Sequence, residues 1–306
     1  MSSAPSPVEQ ARAVDAAALS RISRRLQLAA QPPWLHAEVG RRMADRLPVI
    51  RLQPPRVLDW WSHSGGSAAH LRQVYPKAEL LLLEPDAPDA AGSAVAAVRT
   101  PWWSMQRWRA QEPAVLTASQ VQPACADLVW ANMGLHRWAD PQQAFQHWHR
   151  ALAVDGFLMF STLGPGTLTA LQSLYTRAGW PPPFAPFVDM HDLGDMLIGA
   201  GFADPVMDQE TLTLTWPTPA AALHELRQLG GNAHPLRADG LRTPRWRQQL
   251  MDGLAQTSGP DGRLALTFEV IYGHAFKPLP RARVAPTTHV AADDLQRMAR
   301  SRRPAR

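Results

Sequence analysis

Residues 56–71 read RVLDWWSHSGGSAAHL, an acid and two glycines at the spacing of a strand that runs into a ligand-binding turn. Val57 and Leu58 are apolar, Asp59 follows, and Gly65 and Gly66 precede a helix-like segment. In a doubly wound sheet the turn after the first strand approaches a nucleotide-like cofactor closely, and glycine permits this by removing the Cβ. Ser62, Ser64, Gly65 and Gly66 are small enough for such a turn, and their N–H groups can face an anion. Glu84 ends the apolar run AELLLLEPD, 25 residues after Asp59 and 19 after Gly65. An acid there suits the ribose hydroxyls of a cofactor.

The whole chain bounds what such a turn can belong to. It has 306 residues, 45% of them hydrophobic, enough for one large domain or two small ones. No run approaches the roughly 18 apolar residues of a membrane-spanning helix, so no membrane partner is expected. The first 20 residues lack a basic region followed by an apolar core and do not read as a secretory signal. The single cysteine, Cys125, leaves no internal disulfide and no cysteine-rich metal site, and a cytoplasmic protein is the simplest reading. Residues 281–306 hold seven arginines against two aspartates, which accounts for the whole formal charge of +5. They read as a basic disordered tail that can meet an acidic partner. Without interleaved aromatics, nucleic acid is not expected.

The elements around the turn follow from periodicity. Residues 1–20 read as a flexible leader, and residues 21–47 as a helix on each side of the break PPW at 32–34. Apolar runs at 57–58, 80–83, 128–130 and 157–160 alternate with helical patterns, which predicts crossover units and a parallel sheet. Asp140 and Pro141 open a helix with Ala144, Phe145, Trp148 and Leu152 on one face, and Gly156 is expected to close it. A second helix carries Leu193, Met196, Leu197 and Ala200 and stops at Gly201. ETLTLTW and LALTFEVIYG alternate as strands do and are expected to be antiparallel edge strands. Between them, AALHELRQLGG reads as a helix.

Three stretches carry a resemblance to a known family. They are 126–172, with FSTLGPGTL, 187–217, with DMHDLGDML, and TFEVIYGHAFKP at 267–278. Together with LPVIRLQPPRVLD at 47–59 they resemble the biotin-synthesis malonyl-acyl-carrier-protein O-methyltransferases over about residues 35–278. The resemblance implies an α/β fold, the Rossmann-like class I methyltransferase with a mostly parallel seven-stranded sheet and an antiparallel last strand. Residues 21–280 would form that domain, with 21–47 as a helical lid and 217–263 as a helical insertion. It implies S-adenosylmethionine as cofactor, and malonyl-acyl carrier protein or malonyl-coenzyme A as the substrate whose free carboxylate is methylated. By family position Asn132 and the residues up to His136 line the reaction cavity, with Ser161 and Thr162 nearby. Asn132 also joins Asp59, Ser62, Ser64, Gly65, Gly66 and Glu84 as cofactor contacts. Arg227, Arg237, Arg242, Arg245 and Arg247 are placed to meet an acidic carrier.

The chain departs from the family chiefly on the cofactor side. Trp61 and His63 stand where the turn usually has glycine. The acid expected after the third strand, for the adenine amino group, has only Glu112 as a substitute. In the lid, Trp34 alone could replace the usual Phe and Tyr. Two further readings remain beside the family reaction. One is a non-catalytic relative that has lost the cofactor and acts as a binding or regulatory module. The other is a methyltransferase of another small acid.

Overall fold

The computed structural model describes residues 14–85 and 115–280. Most of the expected leader, Glu112 and the basic tail lie outside the described residues. The expected leader does not extend to residue 20. Helix α1 (Ala16–Gln27) starts within it, because Asp15 caps the first turn by accepting from Ala18 N at 3.0 Å. Pro32 and Pro33 separate α1 from α2 (Trp34–Ala44).

Next come β1 (Arg56–Trp60), α3 (Ser62–Gly65), α4 (Ala68–Val74) and β2 (Glu79–Glu84). After the gap the chain forms β3 (Val115–Thr117), β4 (Ala126–Ala131), α5 (Pro141–Ala151) and β5 (Leu152–Leu163). Helices α6 (Thr169–Arg177) and α7 (Met190–Gly199) lead to β6 (Ala203–Trp216). Then α8 (Pro219–Gln228) and α9 (Pro244–Ala255) precede β7 (Leu264–Phe276). The sheet order is β3-β2-β1-β4-β5-β7-β6. All neighbours are parallel except that β7 runs against both β5 and β6. This is the α/β sheet that the resemblance implied. One expectation fails: β7 is inserted between β5 and β6, so of these two strands only β6 is an edge. The chain leaves β1 to one side through β2 and returns to its other side at β4. That reversal opens a crevice at the carboxyl ends of β1 and β4.

Alternate residues of the buried strands feed two cores, one on each face. Val57, Leu128 and Phe157 pack with Leu35, Val39 and Met43 of α2. Leu58, Val129 and Phe160 pack with Phe145 and Trp148 of α5 and Leu197 of α7. Asp140 caps α5 and Pro141 opens it, as the pattern predicts. Gly156 does not end that helix. It lies inside β5, where a Cβ would come 2.9 Å from Asp127 O. The end of α5 is held by Lys277, whose Nζ donates to His149 O and Leu152 O at 2.8 and 2.7 Å. On the outer edge, Arg42 of α2 reaches Glu210 of β6, and Arg46, just past the end of α2, reaches Asp208, each at 3.0 Å. Among the described residues no helix is long and apolar enough to cross a membrane.

Gly273 of β7 is where the sheet core is tightest. A methyl group there would collide with the Phe160 ring and lie 2.9 Å from Met207 Sδ. Overpacking of this kind costs about 1–3 kcal/mol. Gly273→Ala is therefore expected to lower the unfolding free energy by about 2 kcal/mol in urea melts. An unchanged midpoint would show that the ring has room to turn aside.

Candidate active site

The turn after β1 is filled by its own side chains. Trp61 takes a left-handed backbone conformation, φ 58° and ψ 50°, which a bulky residue rarely adopts. Its ring is 9% exposed and stacks on Trp138, with centroids 5.5 Å apart at 15°. The Arg137 guanidinium lies over the same ring, 4.4 Å from its centroid. Trp61 thus spans from the turn after β1 to the loop after β4, across the crevice. His63 points the other way, its Nε2 donating to Ala29 O at 2.8 Å. Gly66 is required for two reasons: its φ is +67°, and a Cβ would meet Pro32 at 2.8 Å. Two of the N–H groups expected to face an anion are used inside the turn. Gly65 N donates to Trp61 O and Gly66 N to Ser62 O, both at 2.9 Å.

The acidic pair is where the spacing places it. Asp59 is fully buried and its Oδ2 accepts from Ser62 Oγ at 2.7 Å, while Oδ1 has no partner. Burial pushes its carboxyl from the usual 3.8 up to about 7, and nearby Glu84 adds to the rise. Glu84 Oε1 accepts from His63 N at 2.7 Å, and its buried Oε2 is also without a partner. Burial raises this carboxyl too, against the opposing pull of His63 and Arg137. Glu112 precedes β3, and the residues after that strand, Ala118, Ser119 and Gln120, include no acid.

The ends of β4 and β5 are bonded to each other more than they are open to a ligand. Asn132 Nδ2 donates to His36 O and Gly65 O, at 2.7 and 2.6 Å. Its Oδ1 accepts from Ser161 Oγ, which itself accepts from Met133 N. His36 donates from Nδ1 to Ser64 O at 2.8 Å, and burial lowers its pKa to about 3, so the ring is neutral. Asn132 and Ser161 are fully buried, so neither faces a cavity as expected. Thr162 sits beside His136 in a small recess. His136 alone of the residues 132–136 lines the large cavity.

That cavity, about 880 Å³, lies between α1, α6, α8, α9 and the loop after β4. Leu168, Leu171, Tyr175, Phe184, Phe187 and Phe268 supply much of its apolar wall. Five arginines line it and, among the described lining residues, no carboxylate does. Arg25, Arg227, Arg242 and Arg247 are exposed at its rim, while Arg137 is 5% exposed. Three of the five arginines expected to meet a carrier are therefore here. Arg237 instead pairs with Asp15 at 2.7 Å, and Arg245 is not part of the lining. Trp34 is half exposed and bonded to Glu225, away from the cavity. Arg137 was missed by the sequence reading, one position past the segment that family position marked.

The pH dependence of stability tests the buried acid. The folded state holds the Asp59 proton up to about pH 7, the unfolded state only to about 3.8. The stability this gives is complete below pH 3.8 and is lost as pH rises to about 7. Asp59→Asn is neutral throughout and loses none of it. Its unfolding free energy should gain on the wild type by up to about 4 kcal/mol between pH 4 and 8. A constant difference would mean that Asp59 is ionised when folded.

Known proteins resemble this chain over most of its length. Residues 66–160 match the model of a methyltransferase domain. The malonyl-[acyl-carrier protein] O-methyltransferase of Gallionella capsiferriformans is 37% identical over 252 residues, covering 81% of this chain and 85% of the relative. That of Laribacter hongkongensis is 39% identical over 257 residues, covering 81% and 84%. That of Nitrosospira multiformis is 34% identical over 270 residues, covering 83% and 86%. With identity sustained over four-fifths of the sequence, on a methyltransferase-type sheet, the chain belongs to the malonyl-[acyl-carrier protein] O-methyltransferase family.

Proposed function

We propose that this protein methylates the free carboxylate of a malonyl group carried on acyl carrier protein, with S-adenosylmethionine as donor. The observation that carries the reading is the cavity: apolar inside, ringed by exposed arginines, and without a lining carboxylate among the described residues. Such a shape accepts a slender thioester arm, and the rim attracts an acidic carrier. The basic tail at 281–306 has the same charge complementarity. A cytoplasmic setting, where such carriers work, suits a chain with one cysteine.

The acidic pair fits the donor's ribose. Glu84 Oε2 is buried, unpartnered and able to accept from hydroxyls, and Asp59 holds the turn through Ser62. When bound, S-adenosylmethionine supplies an electrophilic methyl group. A malonyl carboxylate is already ionised near neutral pH, so the site needs no general base. The task of the residues is to hold the acceptor oxygen in line and keep water away. The apolar wall, including Phe187 and Leu163 near His136, does the second of these.

Transfer of labelled methyl groups to malonyl-acyl carrier protein is the direct test. Arg227→Glu with Arg247→Glu is expected to raise KM for the carrier substrate about tenfold, and for malonyl-pantetheine much less. Equal losses on both substrates would mean that the rim does not dock the carrier.

Trp61 favours a second reading, in which the protein binds its partner without catalysis. Its ring fills the crevice where the donor's methionine end would pass. Calorimetric titration with S-adenosylhomocysteine separates the two. Micromolar binding by the wild type is expected for the enzyme. Binding by Trp61→Gly alone, with a silent wild type, would establish the second reading.

A further inference from the structure

Among the described residues that line the cavity, Arg137 is the one buried arginine, and it also touches the turn after β1. Its Nη2 donates to Ser64 Oγ at 2.7 Å, and its guanidinium lies over Trp61. It forms no ion pair among the described residues, and its Nε and Nη1 have no hydrogen-bond partner there. Glu84 acts on it at a distance, without contact. A guanidinium has two forked edges, and both include Nη2. Ser64 takes one Nη2–H, so one entire edge, two parallel N–H groups, stays without an acceptor. A buried cation in that state is expensive unless an anion completes it.

The position narrows which anion. The exposed arginines of the rim suit a carrier or its phosphate, but Arg137 lies at the inner end, against the cofactor turn. Donor and acceptor have to meet at that wall. A carboxylate matches a planar fork in shape and charge, as a phosphate does, but the arm has its phosphate at the carrier end and its carboxylate at the far end.

We propose that Arg137 is the receptor for the acceptor's free carboxylate, positioning it between the cavity and the turn after β1 and selecting acids over their esters. This rests on the reading of the cavity as the malonyl site. The fork holds a charged acid and has nothing comparable to hold in a neutral ester, so the methylated product is released rather than retained.

The test is a pair of probes that differ only in that charge, malonyl-pantetheine and its methyl ester, titrated calorimetrically. The wild type is expected to bind the acid about tenfold to a hundredfold more tightly than the ester. Arg137→Gln should abolish this preference, and Arg137→Lys should retain part of it. A melting curve shows that each variant is folded, and added guanidinium restoring the preference to Arg137→Gly would keep the test open if the Gln variant is unstable. A folded Arg137→Gln that still prefers the acid overturns the inference even if the enzyme methylates malonyl-acyl carrier protein. A wild type that prefers the acid but transfers no methyl group overturns the functional reading and leaves the inference standing.

Discussion

The Asn132 side chain is the joint on which the site depends. Its amide holds the backbone of α2 at His36 and the turn after β1 at Gly65, and its oxygen is tied through Ser161 to β5. Three parts of the chain far apart in sequence are thereby locked at the carboxyl ends of β1, β4 and β5. The close fit excludes side chains nearby. A Cβ at Gly40 would lie 2.7 Å from Ser67 Oγ and 2.9 Å from Asn132 Nδ2. A buried amide with all its partners in place is costly to disturb, since any lost bond leaves a desolvated group unpaired. The turn is accordingly a fixed platform, and its unusual residues have settled around that platform.

Around this joint the site divides by charge. Asp59 and Glu84 form an acidic side behind the turn, and Arg137 a basic side facing the cavity. Trp61 lies on the basic side, stacked on Trp138 and covered by the guanidinium. The left-handed conformations of Trp61 and of Met133, φ 51°, occur on the two loops that meet here. Strain of this sort persists where surrounding contacts over-determine the backbone, and it gathers at functional sites.

Local chemistry made much of this visible in the sequence. Asp59, Gly65 and Glu84 could be placed by spacing, because a strand, a turn and a second strand have nearly fixed lengths. The four apolar runs were strands because buried parallel strands are apolar throughout. What was hidden depended on distant partners. Gly156 looked like a helix stop, since a glycine that caps and a glycine that admits a close neighbour are the same letter. The real support for that helix end is Lys277, 125 residues beyond Leu152. Strand β3 has three residues, too few to show a period. The insertion of β7 between β5 and β6 is a choice of neighbours that alternation does not encode. Arg137 resembled any surface arginine until the fold took its counter-ions away.

The pairing of α2 with β6 has a consequence for the protein in a crowded solution. Strand β6 is 14 residues long and lies at the open edge of the sheet, with a backbone ready to pair with another strand. None of its residues before Trp216 is buried. Asp208 and Glu210 put carboxylates along this strand, and Arg42 and Arg46 hold long cationic side chains beside them. A second copy approaching edge to edge would have to strip water from those charges. The contacts that attach α2 and the residues just after it thus also guard against aggregation, and a change made to loosen that helix would expose an adhesive margin.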